Sequence, residues 1–328
     1  MTCAKCGGAL EAGKRFCGEC GTPVAGVPPA ASRRGLFFGI GGVAIGSGLT
    51  YLVTRGPSAS SLATPTLAPT IPVPTRAPAA PAPTMAPAPA SSKRLVVDAS
   101  GSGDYKTIDG ANFNAKAGET IVVRPGTYRE SLKIKSDVRI VGEGGRSKVI
   151  VESAGLPVFS FTAGSATLTG LTIRIVGTGI VINGQHYRGW GAINVEGGTP
   201  VIEDCDLTSS AGPAVHISGA GANPVIRNCT IRDSLGHGVV VGEGQGTIEK
   251  CVIRDNTGAG VWIGDGGNPA VRDCEIRDNK AAGVCIWLKG QGTFTGNTLK
   301  GNARGAWDIW DIEPTAGRVT RTGNTPNE

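Results

Sequence analysis

Short apolar runs with alternating polar positions recur along the C-terminal half of the chain, and turn residues separate them. Five segments align in register: VIEDCDLTSS at Val201, VIRNCTIRDS at Val225, TIEKCVIRDN at Thr247, AVRDCEIRDN at Ala270 and TFTGNTLKGN at Thr293. Within this alignment four cysteines recur at steps of 24, 22 and 23 residues. A period in the low twenties without a helical pattern predicts a stacked solenoid of β-coils.

The alignment turns the coils into columns, because parallel stacking in register sets equivalent residues about 4.8 Å apart. Four columns are apolar and are predicted to face inward. They are Ile202, Ile226, Ile248, Val271 and Phe294; Cys205, Cys229, Cys251 and Cys274 with Asn297; Leu207, Ile231, Ile253, Ile276 and Leu299; and Val215, Val239, Val261 and Val284. Cysteine packs as a small apolar residue, so the cysteine column is interpreted as core.

Two columns predicted to face outward carry charge. One alternates in sign from coil to coil, which indicates pairs that set the register: Glu203, Arg227, Glu249 and Arg272. The other carries like charges: Arg232, Arg254, Arg277 and Lys300. Either the adjacent acidic column neutralises this basic row, or an acidic glycan binds along it through arginine geometry. The acidic column is Asp233, Asp255 and Asp278, and Asn256, Asn279 and Asn302 follow as a predicted hydrogen-bonded ladder.

A further outward column is predicted from aromatic residues. Its members are His216, Val240, Trp262, Cys285 and Trp307, with Trp287 and Trp310 beside them. Flat indole faces suit the C–H surface of a pyranose, so Trp262, Trp307 and Trp190 are candidate glycan ligands. The alternative is that the C-terminal tail or another loop covers this column.

One coil breaks the period. From Leu168 to its equivalent Ile202 the chain runs 34 residues, about eleven more than a coil requires. Insertions in solenoids emerge as loops on one face and often carry function. This one contains His186, Tyr187 and Arg188, which are the candidate catalytic residues. A polar loop without a function is the alternative.

Charge divides the chain of 328 residues unevenly. The net charge is +6, but residues 1–94 hold nine Lys and Arg against two Asp and Glu, which leaves 23 against 24 in residues 95–328. The repeat region is therefore close to neutral. This balance argues against nucleic acid as a partner.

The first 25 residues contain two CxxC pairs, Cys3 with Cys6 and Cys17 with Cys20. Four thiolates at this spacing predict a tetrahedral Zn²⁺ site. The segment resembles the short zinc ribbon found at the N-terminus of many bacterial membrane proteins. Four cysteines close the coordination shell, which favours a structural role or the docking of a protein partner. Two disulfides or a redox pair are the alternatives.

A basic juxtamembrane segment, residues 26–34, precedes an uncharged stretch at 35–53. Nineteen residues span the hydrocarbon core, so we predict a single transmembrane helix with its N-terminus in the cytoplasm. Ser32 and the two arginines after it also resemble a twin-arginine export signal. Both interpretations place the rest outside the cytoplasm. Residues 54–92 are rich in Pro, Ala, Ser and Thr, which predicts a disordered linker before a β-helix at 93–328.

Three motifs support a family resemblance: GSGDYKTI at Gly101, PGTYRE at Pro125 and VGEG at Val141. They resemble the first coils of pectin methylesterases and of the wider pectin-lyase-like group. The resemblance implies an all-β, single-stranded, right-handed parallel β-helix of about ten coils. The QDT and GRPW motifs that carry the esterase chemistry do not occur in this sequence.

Carboxylates for a lyase-type calcium site approach one another only partly. Four carboxylates flank the cysteine column, namely Asp204, Asp206, Asp273 and Glu275. The two coils between these pairs have no carboxylate at the equivalent positions. A bound Ca²⁺ is therefore possible in principle but is not indicated by the sequence. Taken together, the sequence favours a membrane-anchored, extracytoplasmic β-helix that binds a polysaccharide such as a cell-wall glycan, or acts in adhesion or as a scaffold. A polysaccharide lyase, hydrolase or esterase is the competing hypothesis, and a structural spacer is the third.

Overall fold

The computed structural model describes residues 93–134, 136–177, 180–182, 185–187, 190–310 and 318–326. The predicted zinc ribbon, transmembrane helix and linker lie outside these residues. Within them, no helix is long and apolar enough to cross a membrane.

Three long parallel sheets contain most of the strands among the described residues, and successive strands of the chain belong to these sheets in turn. Strands are numbered in chain order. The first sheet consists of β1 (Arg94–Val97), β2 (Thr120–Val123), β5 (Arg139–Gly142), β8 (Thr167–Thr169), β13 (Val201–Glu203), β16 (Val225–Arg227), β19 (Thr247–Glu249), β22 (Ala270–Arg272), β25 (Gly292–Thr295) and β28 (Val319–Thr322).

The second sheet consists of β3 (Gly126–Arg129), β6 (Val149–Ser153), β9 (Thr172–Ile175), β14 (Asp206–Ser209), β17 (Thr230–Arg232), β20 (Val252–Arg254), β23 (Glu275–Arg277) and β26 (Thr298–Lys300). The third consists of β4 (Leu132–Ile134), β7 (Phe159–Phe161), β12 (Ile193–Val195), β15 (Val215–Ile217), β18 (Val239–Val241), β21 (Val261–Ile263), β24 (Val284–Trp287) and β27 (Trp307–Trp310). Neighbours in each sheet pair in parallel, as β13 does with β16. The result is a parallel β-helix of about nine turns, close to the ten predicted.

The predicted inward columns form the core. The isoleucine, cysteine, leucine and valine columns are all buried, and they join one continuous cluster. The cysteine thiols are free and face backbone carbonyls, as Cys229 Sγ does toward Ile202 O at 3.5 Å. Burial raises the pKa of the Cys205 thiol well above its usual value. These cysteines are packing residues, as the sequence predicted.

The corner between the first and second sheets depends on the left-handed backbone conformation. Asp204, Asn228, Lys250 and Asp273 occupy this corner with φ between 50° and 55°. Asn, Asp and Gly adopt this conformation at the lowest cost, and glycines take the same place in other coils. At the next corner Asp233, Asp255 and Asp278 repeat it. The turn residues of the repeat thus follow from backbone sterics.

A short helix, α1 (Ile108–Asn114), lies between β1 and β2. Its Ile108 and Ala111 are buried in the first coils of the core. The Glu130 carboxylate accepts hydrogen bonds from the N–H groups of Ile108 and Asp109, at 2.9 and 2.8 Å. The helix therefore covers apolar surface of the N-terminal coils.

Candidate functional site

The insertion predicted after Leu168 is a hairpin. The register confirms that Leu168 pairs with Ile202, so the additional residues lie outside the coil. They form β10 (Ile180–Ile182) and β11 (Gln185–Tyr187), an antiparallel pair in which Val181 lies opposite His186. Of the candidate catalytic residues, His186 and Tyr187 lie in β11, and Arg188 lies outside the described residues.

The hairpin connects the second sheet to the third, as the corresponding turn of each later coil does. The turn that contains Pro213 joins β14 to β15, and the turn that contains His237 joins β17 to β18. His216 follows in β15. All three histidines of the chain therefore lie at this corner or on the strand next to it, in three successive coils. Trp190, which follows the hairpin, is 38% exposed.

A groove of about 250 Å³ lies on the third sheet beside this corner. Its lining is mostly apolar and consists of Pro213, His216, His237, Val240 and Trp262. The ring centroids of His237 and Trp262 are 6.0 Å apart. The sequence placed His216, Val240 and Trp262 in one outward column, and the register confirms this placement.

The surroundings of both groove histidines favour the neutral imidazole. Burial lowers the pKa of His216, although the nearby Glu196 carboxylate acts in the opposite direction. Burial also lowers the pKa of His237. The N–H of Ala259 donates to Nδ1 of His237 at 2.9 Å. A neutral His237 therefore carries its proton on Nε2, where it can donate a hydrogen bond.

The predicted position of Trp307 is wrong by one residue. The structure pairs Trp307 with Val284 and Asp308 with Cys285, so Trp307 belongs to the inward valine column. Trp307 packs edge-on against Phe294 at 5.2 Å, and its Nε1 donates to Pro326 O at 3.1 Å. Arg321 lies 5.1 Å from its ring centroid. The C-terminal tail covers this indole, which is the alternative that the sequence left open.

Two other indoles take the exposed position. Trp287 and Trp310 pair in register on the outward side of β24 and β27. Their ring centroids are 5.5 Å apart, and they are 39% and 55% exposed. The signal in the sequence was the repeated Ile-Trp dipeptide at Ile286 and Ile309, which aligns the two strands without a shift.

Trp262 extends these two indoles into a strip. Its ring lies along its own strand and covers Gly264. A methyl group added at Gly264 would clash with Cη2 of Trp262, which shows how close the two are. Gly264 follows Ile263, which pairs with Ile286, so Gly264 stacks next to Trp287. We call Trp262, Trp287 and Trp310 the indole strip. Three successive coils contribute one indole each to the same outward face.

The predicted basic row is in register but is neutralised by the protein. Arg232 contacts Asp206 at 2.8 Å and also pairs with Asp233. The three remaining members are also paired: Arg254 with Asp255, Arg277 with Asp278 and Glu275, and Lys300 with Glu275. These contacts favour the first of the two interpretations, in which the carboxylates of the protein balance the row.

The column of alternating charge forms the predicted ion pairs between coils at two places. Arg227 contacts Glu203 at 2.9 Å, and Arg272 contacts Glu249 at 2.6 Å. Within the described residues, no group of three or more His, Cys, Asp or Glu side chains is arranged to hold a metal ion. The carboxylates that approached a calcium cluster in sequence therefore do not form one there.

Comparison with known proteins agrees with this geometry. Residues 158–314 match the family model described as a right handed beta helix region. The described residues of this range form a right-handed parallel β-helix. The sheets and inward columns continue the same architecture through the described residues from Lys93 to Pro326. We therefore call this whole stack of coils the β-helix.

Individual proteins are similar to this chain in sequence or in structure. A pectinesterase from Daucus carota is 32% identical over 94 residues, which cover 26% of this chain and 28% of the carrot protein. The chain thus matches little more than a quarter of the length of this curated relative. Pectin methylesterase PemA from Erwinia chrysanthemi superposes with a TM-score of 0.50 at 15% identity, over 67% of this chain and 81% of PemA. Pectate lyase Pel9A gives 0.46 at 12% identity, over 72% and 80%. At 15% identity the likeness to PemA shows the fold alone.

Proposed function

We propose that the β-helix binds polysaccharide on the outward face of its third sheet. The observation that carries this proposal is the indole strip, in which three successive coils each present an indole outward. Exposed indoles are costly to leave in water and stack well on the apolar faces of pyranose rings. The coil spacing of about 4.8 Å sets these rings in a row, as a linear glycan requires. The groove lined by His216, His237 and Val240 continues the strip.

Removal of the exposed indoles tests the proposal. The full-length chain is passed over immobilised polysaccharides, and its retention is compared with that of Trp287→Ala, Trp310→Ala and the double variant. Each single change should weaken retention roughly three- to tenfold, since one aromatic contact contributes about 0.5–1.5 kcal/mol. The double variant should approach background.

A matched control is Phe113→Ala. Phe113 is 87% exposed on α1, which contacts β4 at the end of the third sheet opposite the indole strip, and its removal should leave retention unchanged. Undiminished retention of the double tryptophan variant would contradict the proposal. Loss of retention in the Phe113 variant as well would indicate a nonspecific effect and would also count against it.

Catalysis is the second candidate, and one observation favours it. Two imidazoles with lowered pKa values line the groove beside the indole strip, and His186 lies at the same corner one coil earlier. Such groups are suited to general acid–base chemistry. In the retention experiment, the eluted glycan is therefore analysed for new reducing ends and unsaturated products. We expect none, and turnover abolished by His186→Ala or His237→Gln would establish an enzyme instead.

The remaining regions complete the proposal. Residues 35–53 would anchor the chain in a membrane as a single pass, and the linker at 54–92 would hold the β-helix away from it on the outer side. A zinc ribbon held by Cys3, Cys6, Cys17 and Cys20 would lie in the cytoplasm and dock a protein partner. The support for these parts is the uncharged length, the linker composition and the cysteine spacing. An adhesive or scaffold role would use the same glycan-binding face.

A further inference from the structure

The charge of the third sheet points to a class of glycan. Two outward rows run along this sheet from β12 to β27. The first row consists of Asn194, His216, Val240, Trp262, Cys285 and Asp308. The flanking row is Glu196, Ser218, Gly242, Gly264, Trp287 and Trp310. Neither row contains a lysine or an arginine, and each contains one carboxylate, Asp308 at one end and Glu196 at the other.

The titratable groups of these rows do not supply a cation either. Burial lowers the pKa of His216, so its imidazole is neutral at neutral pH. Burial, followed by the Asp308 carboxylate, raises the pKa of Cys285 to about 11, so it remains a thiol. An anionic sugar on the indole strip would therefore meet no positive side chain from the part of the rows between β12 and β27, whose ends carry the Asp308 and Glu196 carboxylates. Lys133 of β4 continues one row, but it lies five coils from Trp262.

Cations of the neighbouring turns border the strip. Lys289 follows Trp287 in the turn after β24, and Arg304 precedes β27. Arg304 is close enough to Cys285 to oppose the effect of Asp308 on the pKa of that thiol. Both cations lie at the sides of the sheet, and neither belongs to its outward rows. They could reach a bound chain only from its edge.

The cations of the second sheet are engaged elsewhere. A polar groove of about 370 Å³ on this sheet includes Arg174 and Arg232 in its lining. Arg174 contacts Glu152 at 2.6 Å, and Arg232 contacts Asp206 at 2.8 Å. An acidic glycan that bound here would have to displace carboxylates already in place, and its net gain would be small.

We infer that the glycan bound by the indole strip is uncharged, a neutral polysaccharide and not a polyuronate. This inference rests on the proposed function, because it concerns the ligand of the same strip. Stacking on indoles supplies attraction that does not depend on ligand charge. Asp308, in the same strand as Trp310, repels carboxylates on the strip, and Glu196 repels those of a chain long enough to reach β12. The absence of lysine and arginine from the outward rows thus acts as selection against anionic chains.

The test compares glycans that differ only in charge. Full-length protein is titrated with β-1,4-glucan oligosaccharides and with the same oligosaccharides oxidised to uronates at C6, and a neutral mannan and xylan extend the panel. We expect at least tenfold tighter binding to neutral chains than to uronates. Binding of the neutral chains should change less than twofold between low and high salt, because uncharged ligands are not screened.

Two pairs of variants sharpen the result. Gly264→Ala displaces the Trp262 ring and should weaken neutral-glycan binding, whereas Gly242→Ala, one coil earlier, has room for its methyl group and should not. Asp308→Lys should raise uronate binding several-fold. Lys289→Gln with Arg304→Gln should leave neutral binding unchanged.

Each outcome separates the two proposals. Equal or preferred binding of uronates, weakened by salt and lost in the Lys289 and Arg304 variants, would overturn the inference and leave polysaccharide binding intact. Failure to bind any glycan of either charge would overturn the proposed function itself. Preference for neutral chains that Gly264→Ala reduces and Gly242→Ala does not would support both.

Discussion

At the scale of single residues, backbone conformation decides which side chains can stand at the corners of the β-helix. The corner before each buried cysteine has φ near +50°, and the residues found there are mainly Asp and Asn, with Gly in other coils. Lys250 is the exception in this column, with φ of 51° and an exposed side chain. A long L-residue without a local hydrogen-bonding group is strained there by about 1–2 kcal/mol.

Exchange of Lys250 tests this strain. Lys250→Asn should raise the free energy of unfolding by about 1 kcal/mol, because Asn adopts the left-handed conformation more readily. The matched control is Asn228→Lys at the same corner of the preceding coil, which is also exposed and should lower stability by a similar amount. Urea unfolding followed by circular dichroism measures both. Equal stability of the two variants and the parent chain would contradict the argument.

At the scale of the element, buried amides tie successive coils together. The predicted Asn ladder is confirmed. Asn256 Nδ2 donates to Asn279 Oδ1 at 2.9 Å, and Asn279 Nδ2 donates to Asn302 Oδ1 at the same distance. The backbone N–H groups of Asn256 and Asn279 donate to the same oxygens at 3.1 Å. A second ladder joins Asn297 to Asn324. These amides satisfy backbone groups that the corners leave without a strand partner.

Interruption of the ladder should be costly in its interior and cheap at its end. Asn279→Ala should reduce the free energy of unfolding by about 3 kcal/mol, because Asn256 and the carbonyl of Ile253 lose buried partners. Asn302 makes the equivalent bonds to Asn279 and to the carbonyl of Ile276, but it is half-buried and closes the row. Water can therefore replace its side chain, and Asn302→Ala should cost about 1 kcal/mol. Unfolding midpoints of the two variants measure the difference. Equal losses would show that the ladder does not act through burial.

At the scale of the whole molecule, the three faces of the β-helix differ in the side chains that they present to solvent. The first and second sheets carry ion pairs between coils, whereas the third carries the groove, the histidines and the indole strip. Ion pairs on a surface contribute little stability singly, but in rows they specify register. The third sheet lacks such rows between β12 and β27, which leaves its surface free for a ligand.

The predicted zinc ribbon belongs to this scale because it concerns a separate module. Elemental analysis of the purified full-length chain should find one zinc per chain. Cys6→Ser with Cys20→Ser should abolish it, since each removes one of four ligands. Cys285→Ser is the control, because this thiol lies on the β-helix and should leave the zinc content unchanged. Retention of zinc in the double variant would contradict the prediction.

Much of the fold was readable from the sequence, for definite physical reasons. The coil period predicted the stack, and apolar alternation predicted which columns face inward, because a parallel stack puts equivalent residues on one side. The ion-paired columns and the Asn ladder followed from the same alignment. Trp307 was misplaced by a slip of one residue in the alignment, and such a slip exchanges the two sides of a strand. The spacing itself places Trp307 inward, because it lies eight residues after Leu299, as Val284 lies eight residues after Ile276.

The sequence by itself determined the parallel β-helix, its core columns and its interrupted coil, since these depend on period and polarity. Tertiary structure alone decided which indoles reach solvent. Trp307 is taken up by the core and the C-terminal tail, while Trp287 and Trp310 stack outside. Tertiary structure also decided that the basic row is already neutralised. Solvent access and charge balance both depend on side chains from different coils meeting in space, and no single coil contains that information.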